Sequence, residues 1–278
     1  MTTVWIDGEV LDAALARVAA LDHGLTVGDG VFETCKVLDG AVFALTRHLR
    51  RLERSARVLG LRCPEPQTVR AATTQLLAAE GPLPLGRLRI TVTGGAGPLG
   101  SDRGDAPPTV ILALGAASPW PDRIAVVTVP WPRNEHSAVA GAKTTSYAEN
   151  VIALQRAHEQ GAHEALLPNT AGMLCEGTGS NVVLDLDGRL VTPPLTSGCL
   201  AGITRELFLE WAAREGLPVE ERDLDMSVLE AARDILLTSS TRNVQQVQTL
   251  NGQPVPGSEL GRAAVELFDR MAAEGLDP

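Results

Sequence analysis

Lysine is nearly absent from this chain: among 278 residues only Lys36 and Lys143 occur. A solvating lysine normally sits among other charges, yet Lys143 lies in AGAKTTSYAEN, among small neutral residues. In a confined, poorly hydrated site such an amine loses its proton readily and becomes a nucleophile able to form a Schiff base. Positive charge is also short. The formal net charge of −10 disfavours a nucleic-acid groove or an anionic membrane surface as partner. No apolar run reaches the length of a membrane span. Asp7, Glu9 and Asp12 interrupt any basic-then-apolar secretion signal. The four cysteines, Cys35, Cys63, Cys175 and Cys199, lack the close pairing of a metal site, and the expectation is a reduced cytoplasmic protein without a metal. Internal repeats and low-complexity segments are missing as well.

What is present fits a globular protein, with 44% hydrophobic and 21% charged residues. The length suits two domains. Pro119 and Pro121 break regular structure in GAASPWPD, so a linker is expected at 116–122, between an N-terminal domain 1–115 and a C-terminal domain 123–278. In the first, Asp7-Gly8 and Asp39-Gly40 signal hairpins. Thr46 is expected to cap a helix ending at Gly60, and a second helix covers 68–79. The strand RLRITVTGG then runs into GAGPLGSDRGDAPP, which reads as a mobile loop. The second half alternates strands with helices, which makes the class α/β (α+β).

Several residues stand where chemistry is expected. In VFETCKVL a period of two sets Phe32, Thr34 and Lys36 on one face and Glu33 and Cys35 on the other. One face packs and the other lines a pocket, unless Lys36 only snorkels at a sheet edge. Glu176 precedes a Gly-Thr-Gly-Ser turn, where a carboxylate either hydrates or holds the ring-nitrogen proton of a pyridine cofactor. Gly202-Ile203-Thr204 opens a helix, which makes an anion site or a simple Thr204 cap. Ser240 and Thr241 end an apolar strand and add hydroxyl donors; Arg242 turns toward substrate or solvent. Tyr147 either orients Lys143, contacts the cofactor, or packs. Rival motifs fail on geometry. GAKT lacks the upstream glycine of a phosphate loop. His158 and His163 would sit about 140° apart on a helix, not on one face as zinc ligands do. GTGSN is not the serine-centred hydrolase elbow.

Taken together, AK-TTSYAEN, E-GTGSN, the TPP–LAGITRE segment and LTSSTRNVQQV resemble, in order and over nearly the whole chain, the pyridoxal-phosphate enzymes of fold type IV. This is the class IV aminotransferase group of D-amino-acid, branched-chain and (R)-amine transaminases and aminodeoxychorismate lyase. The resemblance implies a two-domain fold with pyridoxal 5'-phosphate at the domain interface, in a homodimer. It implies that Lys143 is the catalytic lysine and that Glu176 faces the ring nitrogen. By the family's H-x-x-R-L pattern, matched by His48, Arg51 and Leu52, Arg51 is the phosphate-binding arginine. Ile203, Thr204 and Ser240 join it, while Phe32, Thr34, Lys36 and Thr241 face substrate. GDGVFETCKV is similar to the strand of D-amino-acid transaminases, with Phe32 replacing a tyrosine. The implied reaction moves an amino group from a D-amino acid to a 2-oxo acid such as 2-oxoglutarate. Those enzymes trap the substrate carboxylate with Arg-x-His in the following loop, which here reads GAGPLGSDR, so Lys36 and Arg103 are the substitutes expected. The lyase shares GDG and the glycine-rich loop. Branched-chain enzymes carry Gly-Thr-Ala-Ala where this chain has Ser239-Ser240-Thr241-Arg242. A non-catalytic binding protein on this fold would not need to keep Lys143, Glu176 and Arg51.

Overall fold

The computed structural model describes residues 2–278, and the chain divides into two compact units. The first runs to Pro119 and adds Ala142–Tyr147 and Asp277; the second holds Trp120–Gly141 and Ala148–Leu276. The switch at Pro119 falls inside the 116–122 segment. The return of Ala142–Tyr147 to the first unit departs from a simple two-part division.

In the first unit the elements are β1 (Thr2–Ile6), β2 (Glu9–Asp12), a single turn α1 (His23–Thr26), β3 (Gly30–Leu38), β4 (Ala41–Val42), α2 (Leu45–Leu59), α3 (Pro66–Glu80), β5 (Leu85–Thr93) and β6 (Val110–Ala116). They form one antiparallel sheet in the order β2-β1-β6-β5-β3-β4. Asp7 and Asp39 adopt positive φ at the two hairpin turns, the conformation that Asp-Gly supplies cheaply. Alternation then sorts the strands. Val31, Cys35, Leu88, Ile90 and Leu112 turn to one face, where Leu49, Leu52 and Leu76 of α2 and α3 cover them. Phe32, Thr34 and Lys36 take the other face, paired across β5 with Thr91, Arg89 and Arg87.

The start of α2 corrects the expected cap. Ala44, in the left-handed region, occupies the N-cap, and Thr46 lies within the first turn, where its amide and hydroxyl donate to Asp277. Gly60 ends the helix at φ 66°, as a C-terminal glycine should. Ala142–Tyr147 joins this unit because it runs along the edge of β3. Phe32 N donates to Lys143 O at 2.9 Å, and Thr145 N to Gly30 O at 2.8 Å.

The loop after β5 is anchored at two points. His23, fully buried, meets Pro98 O through Nε2 at 3.1 Å, and a side chain on Gly97 would collide with that nitrogen. Arg103 Nε and Nη2 donate to both oxygens of Asp29 at 2.5 and 2.6 Å.

The second unit holds β7 (Arg123–Thr128), α4 (Ala148–Glu159), β8 (Glu164–Pro168), β9 (Leu174–Gly177), β10 (Asn181–Leu186), β11 (Arg189–Thr192), α5 (Ile203–Glu215), β12 (Val219–Glu221), β13 (Asp234–Ser239), β14 (Asn243–Leu250), β15 (Gln253–Pro254) and α6 (Glu259–Glu274). Its mixed sheet runs β12-β11-β10-β13-β14-β7-β8-β9, with β15 on β14. Ile124, Val126, Val182, Leu184, Ile235 and Leu237 form its apolar centre. Ser258 caps α6 by accepting from Gly261 N, and Gly216 stops α5. No helix among the described residues is long and apolar enough to cross a membrane.

Candidate active site

The first unit brings Lys143 against β3. Its Nζ lies 4.5 Å from the centroid of the Phe32 ring and 3.4 Å from the Tyr147 hydroxyl. Tyr147 meets Phe32 edge to face at 5.1 Å. The lysine backbone is pinned too, because Lys143 N donates to Ser55 Oγ at 3.1 Å. Ser55 shares one helical stripe of α2 with His48 and Arg51, at spacings of three and four.

That stripe ends on Glu33. Arg51 donates through Nε and Nη2 to the two Glu33 oxygens, at 2.7 and 2.6 Å, and His48 Nδ1 meets Oε2 at 2.7 Å. All three are buried. Burial alone would raise the Glu33 carboxyl, but the Arg51 charge and hydrogen bonds, with His48, hold it down at about 2. Burial pulls His48 below the ordinary histidine value against Glu33. Arg51, assigned by resemblance to phosphate, is therefore also half of a buried ion pair. Alternation had already turned Glu33 away from Phe32; the helix stripe that meets it could not be paired with it from the sequence.

The second unit holds the other expected residues. Glu176, at the end of β9, accepts from Arg133 Nε at 3.0 Å and from Leu200 N at 2.9 Å. Arg133 also reaches Asn150 Oδ1 at 3.2 Å, and Asn150 Nδ2 donates to Thr178 O at 2.6 Å. Nothing in PWPRN marked Arg133 beforehand. Thr178 Oγ1 and Gly179 N both donate to Glu164 Oε1, at 2.7 and 2.6 Å. The other Glu164 oxygen takes Arg242, whose guanidinium stacks on Trp120 at 4.1 Å. Arg242, expected to turn toward substrate or solvent, is here one half of a buried pair with Glu164. Arg103, the other arginine expected at the substrate, bonds to Asp29 through Nε and Nη2.

The donor set suits a phosphorylated pyridine. Helix α5 begins at Gly202 with no side-chain cap, so the amides behind Ile203 and Thr204 keep the anion-binding character of a helix start. A Cβ at 202 would lie 2.0 Å from Asn181 Oδ1, so any larger residue there would force Asn181 to move. Ser180 Oγ is buried without a hydrogen-bond partner among the described residues. Ser240 and Thr241 stand half-buried just past β13. Among the described residues no group of three His, Cys, Asp or Glu side chains is arranged to hold a metal ion.

The amino-transferase class IV family matches residues 30–250, a span that takes in both sets of residues. The chain belongs to the class IV aminotransferases. These enzymes depend on pyridoxal phosphate, and so does this one. A putative branched-chain-amino-acid aminotransferase of Methanocaldococcus jannaschii is 31% identical over 275 residues, 96% of this chain and 94% of its own. A bifunctional aminodeoxychorismate lyase / D-amino acid transaminase of Mycobacterium tuberculosis is also 31% identical, over 96% of this chain and 97% of its own. Among solved structures, the PLP-bound form of a hypothetical aminotransferase from Mycobacterium tuberculosis aligns with a TM-score of 0.86 at 30% identity, over 98% of this chain and 99% of that one. Amino and 2-oxo acids are therefore the substrate class, on a two-domain fold type IV scaffold.

Proposed function

We propose that this aminotransferase moves the amino group of a D-amino acid to a 2-oxo acid, with 2-oxoglutarate as acceptor. The observation that carries the reading is the placement of β3. The strand whose GDGVFETCKV sequence is similar to D-amino-acid transaminases is the one that abuts Lys143, through Phe32 N to Lys143 O and the Phe32 ring beside Nζ. The relative from Mycobacterium tuberculosis, named in part a D-amino acid transaminase, supports it.

Bound pyridoxal phosphate supplies an electron sink that makes the donor's α-hydrogen acidic. In this assignment Lys143 holds the cofactor and then carries that proton, with Tyr147 orienting its amine. Glu176, fixed by Arg133 and Leu200 N, holds a proton on the ring nitrogen. In the second unit Ile203, Thr204 and Ser240 would receive the phosphate; Arg51 keeps the phosphate role that the family pattern gives it. Phe32, Thr34 and Thr241 face the substrate. The donor loses its amine and α-hydrogen and gains a water oxygen, becoming a 2-oxo acid; 2-oxoglutarate gains the amine and an α-hydrogen and loses its keto oxygen as water, becoming glutamate, so the water consumed in one half is returned in the other. The working form is taken as a cytoplasmic homodimer.

Half-reactions with D-alanine, D-glutamate, L-leucine and an (R)-amine, followed by cofactor absorbance, test the reading. Faster conversion of a D-amino acid supports it, and faster conversion of L-leucine ends it. The lyase half of the relative's name favours one second reading. Release of pyruvate from aminodeoxychorismate with no 2-oxo acid present would establish that reaction instead.

A further inference from the structure

Resting on that reading of a carboxylate-bearing substrate, we propose that Arg89 is the receptor for the substrate's carboxylate. The carboxylate of an amino acid is two bonds from its amino nitrogen, so its receptor must lie beside the lysine that handles the amine. Three cations are candidates. Arg103 is engaged along both edges of Asp29. Lys36 sits four residues along β3 from Phe32, about 13 Å at the rise of a strand, and its side chain is largely buried. Arg89 is the register partner of Thr34, and its guanidinium carbon lies 3.8 Å above the Phe32 ring. That ring is the one Lys143 Nζ approaches at 4.5 Å.

A cation–π contact with Phe32 uses the guanidinium's charge and consumes none of its N–H donors, so the fork that binds a carboxylate with two bonds stays uncommitted. Arg89 makes no hydrogen bond or ion pair among the described residues. Its side chain is exposed to an incoming ligand. Neighbouring atoms desolvate it enough to draw its pKa below the ordinary arginine value, with Tyr147 opposing. A bound anion would compensate that lost hydration. The surrounding face is suited to the charge as well: across β3 and β5 it carries Phe32, Thr34, Lys36, Arg87, Arg89 and Thr91, and no carboxylate.

The test uses the holoenzyme and an unreactive carboxylate, propionate, titrated by cofactor absorbance, alongside KM and kcat for D-alanine. Losing one charged, paired hydrogen-bonding group should weaken propionate binding and raise KM in Arg89→Gln by about tenfold to a hundredfold, with a much smaller change in kcat. Arg89→Lys should fall between, and it carries the comparison if Arg89→Gln does not fold. Propionate affinity within twofold of wild type in Arg89→Gln overturns the assignment. So does a Lys36→Gln variant that takes the loss instead. If the wild type converts L-leucine rather than D-alanine, the D-specific reading falls, while the propionate arm, which needs no turnover, still decides on Arg89.

Discussion

Arg133 Nε lies 3.0 Å from one oxygen of Glu176, and the Leu200 amide donates to the other at 2.9 Å. The arginine is in turn braced by Asn150. A carboxylate held at both oxygens keeps one orientation and a nearby counter-charge, which is what a group facing a pyridinium nitrogen needs. Arg133→Gln should therefore cost about 1.5–3 kcal/mol of charged hydrogen bonding. It should appear as weaker cofactor retention and lower kcat, by about tenfold to a hundredfold. Equilibrium dialysis against pyridoxal phosphate, with the absorbance spectrum of the retained cofactor, reads this directly. Wild-type retention and spectrum in the variant would show that Arg133 braces the turn without acting on Glu176.

Two lysines make the attachment site a binary question. Borohydride reduction of the holoenzyme followed by peptide mapping should place the pyridoxyl group on Lys143, next to Phe32 and Tyr147. Lys143→Ala should abolish both label and transamination. A label on Lys36 would move the reacting centre along β3 and refute the site.

The Glu33–Arg51–His48 cluster predicts acid lability. Glu33 falls from an ordinary 4.5 to about 2 in the folded protein, so its stabilisation is complete above about 4.5 and is lost as pH falls toward 2. A shift of that size corresponds to about 3 kcal/mol. His48, held below its ordinary value, acts in the same direction, because protonation on acidification favours the unfolded chain. Urea melts at pH 7, 5, 4 and 3 should show Glu33→Gln less stable than wild type at pH 7 but flatter toward acid. Parallel curves for the two proteins would refute the linkage. Arg51→Ala strands a buried carboxylate, at a cost of about 3–5 kcal/mol. Loss of cofactor in that variant therefore cannot by itself assign the phosphate.

Much of this was legible from short-range signals. The Asp7-Gly8 and Asp39-Gly40 hairpins, the glycine stop of α2 and the two faces of β3 follow from local chemistry and a period of two. Lys143 and Glu176 stood out because of their surroundings. What escaped depends on register between distant strands. Arg89 alternates with Leu88 and Ile90, which sets its face, but only the pairing of β5 with β3 brings it over Phe32. Arg103 and Arg242 were read as available because nothing local names a partner. Asp29 and Glu164, both far along the chain, supply one.

The pair between Glu164 and Arg242 connects two turns of the second unit. Glu164 holds Thr178 and Gly179, just beyond Glu176, through one oxygen, and Arg242, just beyond Ser240 and Thr241, through the other. Both partners are buried and the arginine is stacked on Trp120. Removing one member leaves an uncompensated charge, so Arg242→Met should cost about 3–5 kcal/mol of stability. The double variant Glu164→Gln with Arg242→Met should recover part of that loss, since no lone charge remains. A double-mutant cycle from urea melts, with Trp120→Leu to separate the stacking contribution, measures the coupling. If Arg242→Met keeps wild-type stability and instead raises KM for the amino donor, the arginine faces substrate after all, and the pair is not the tie between these turns.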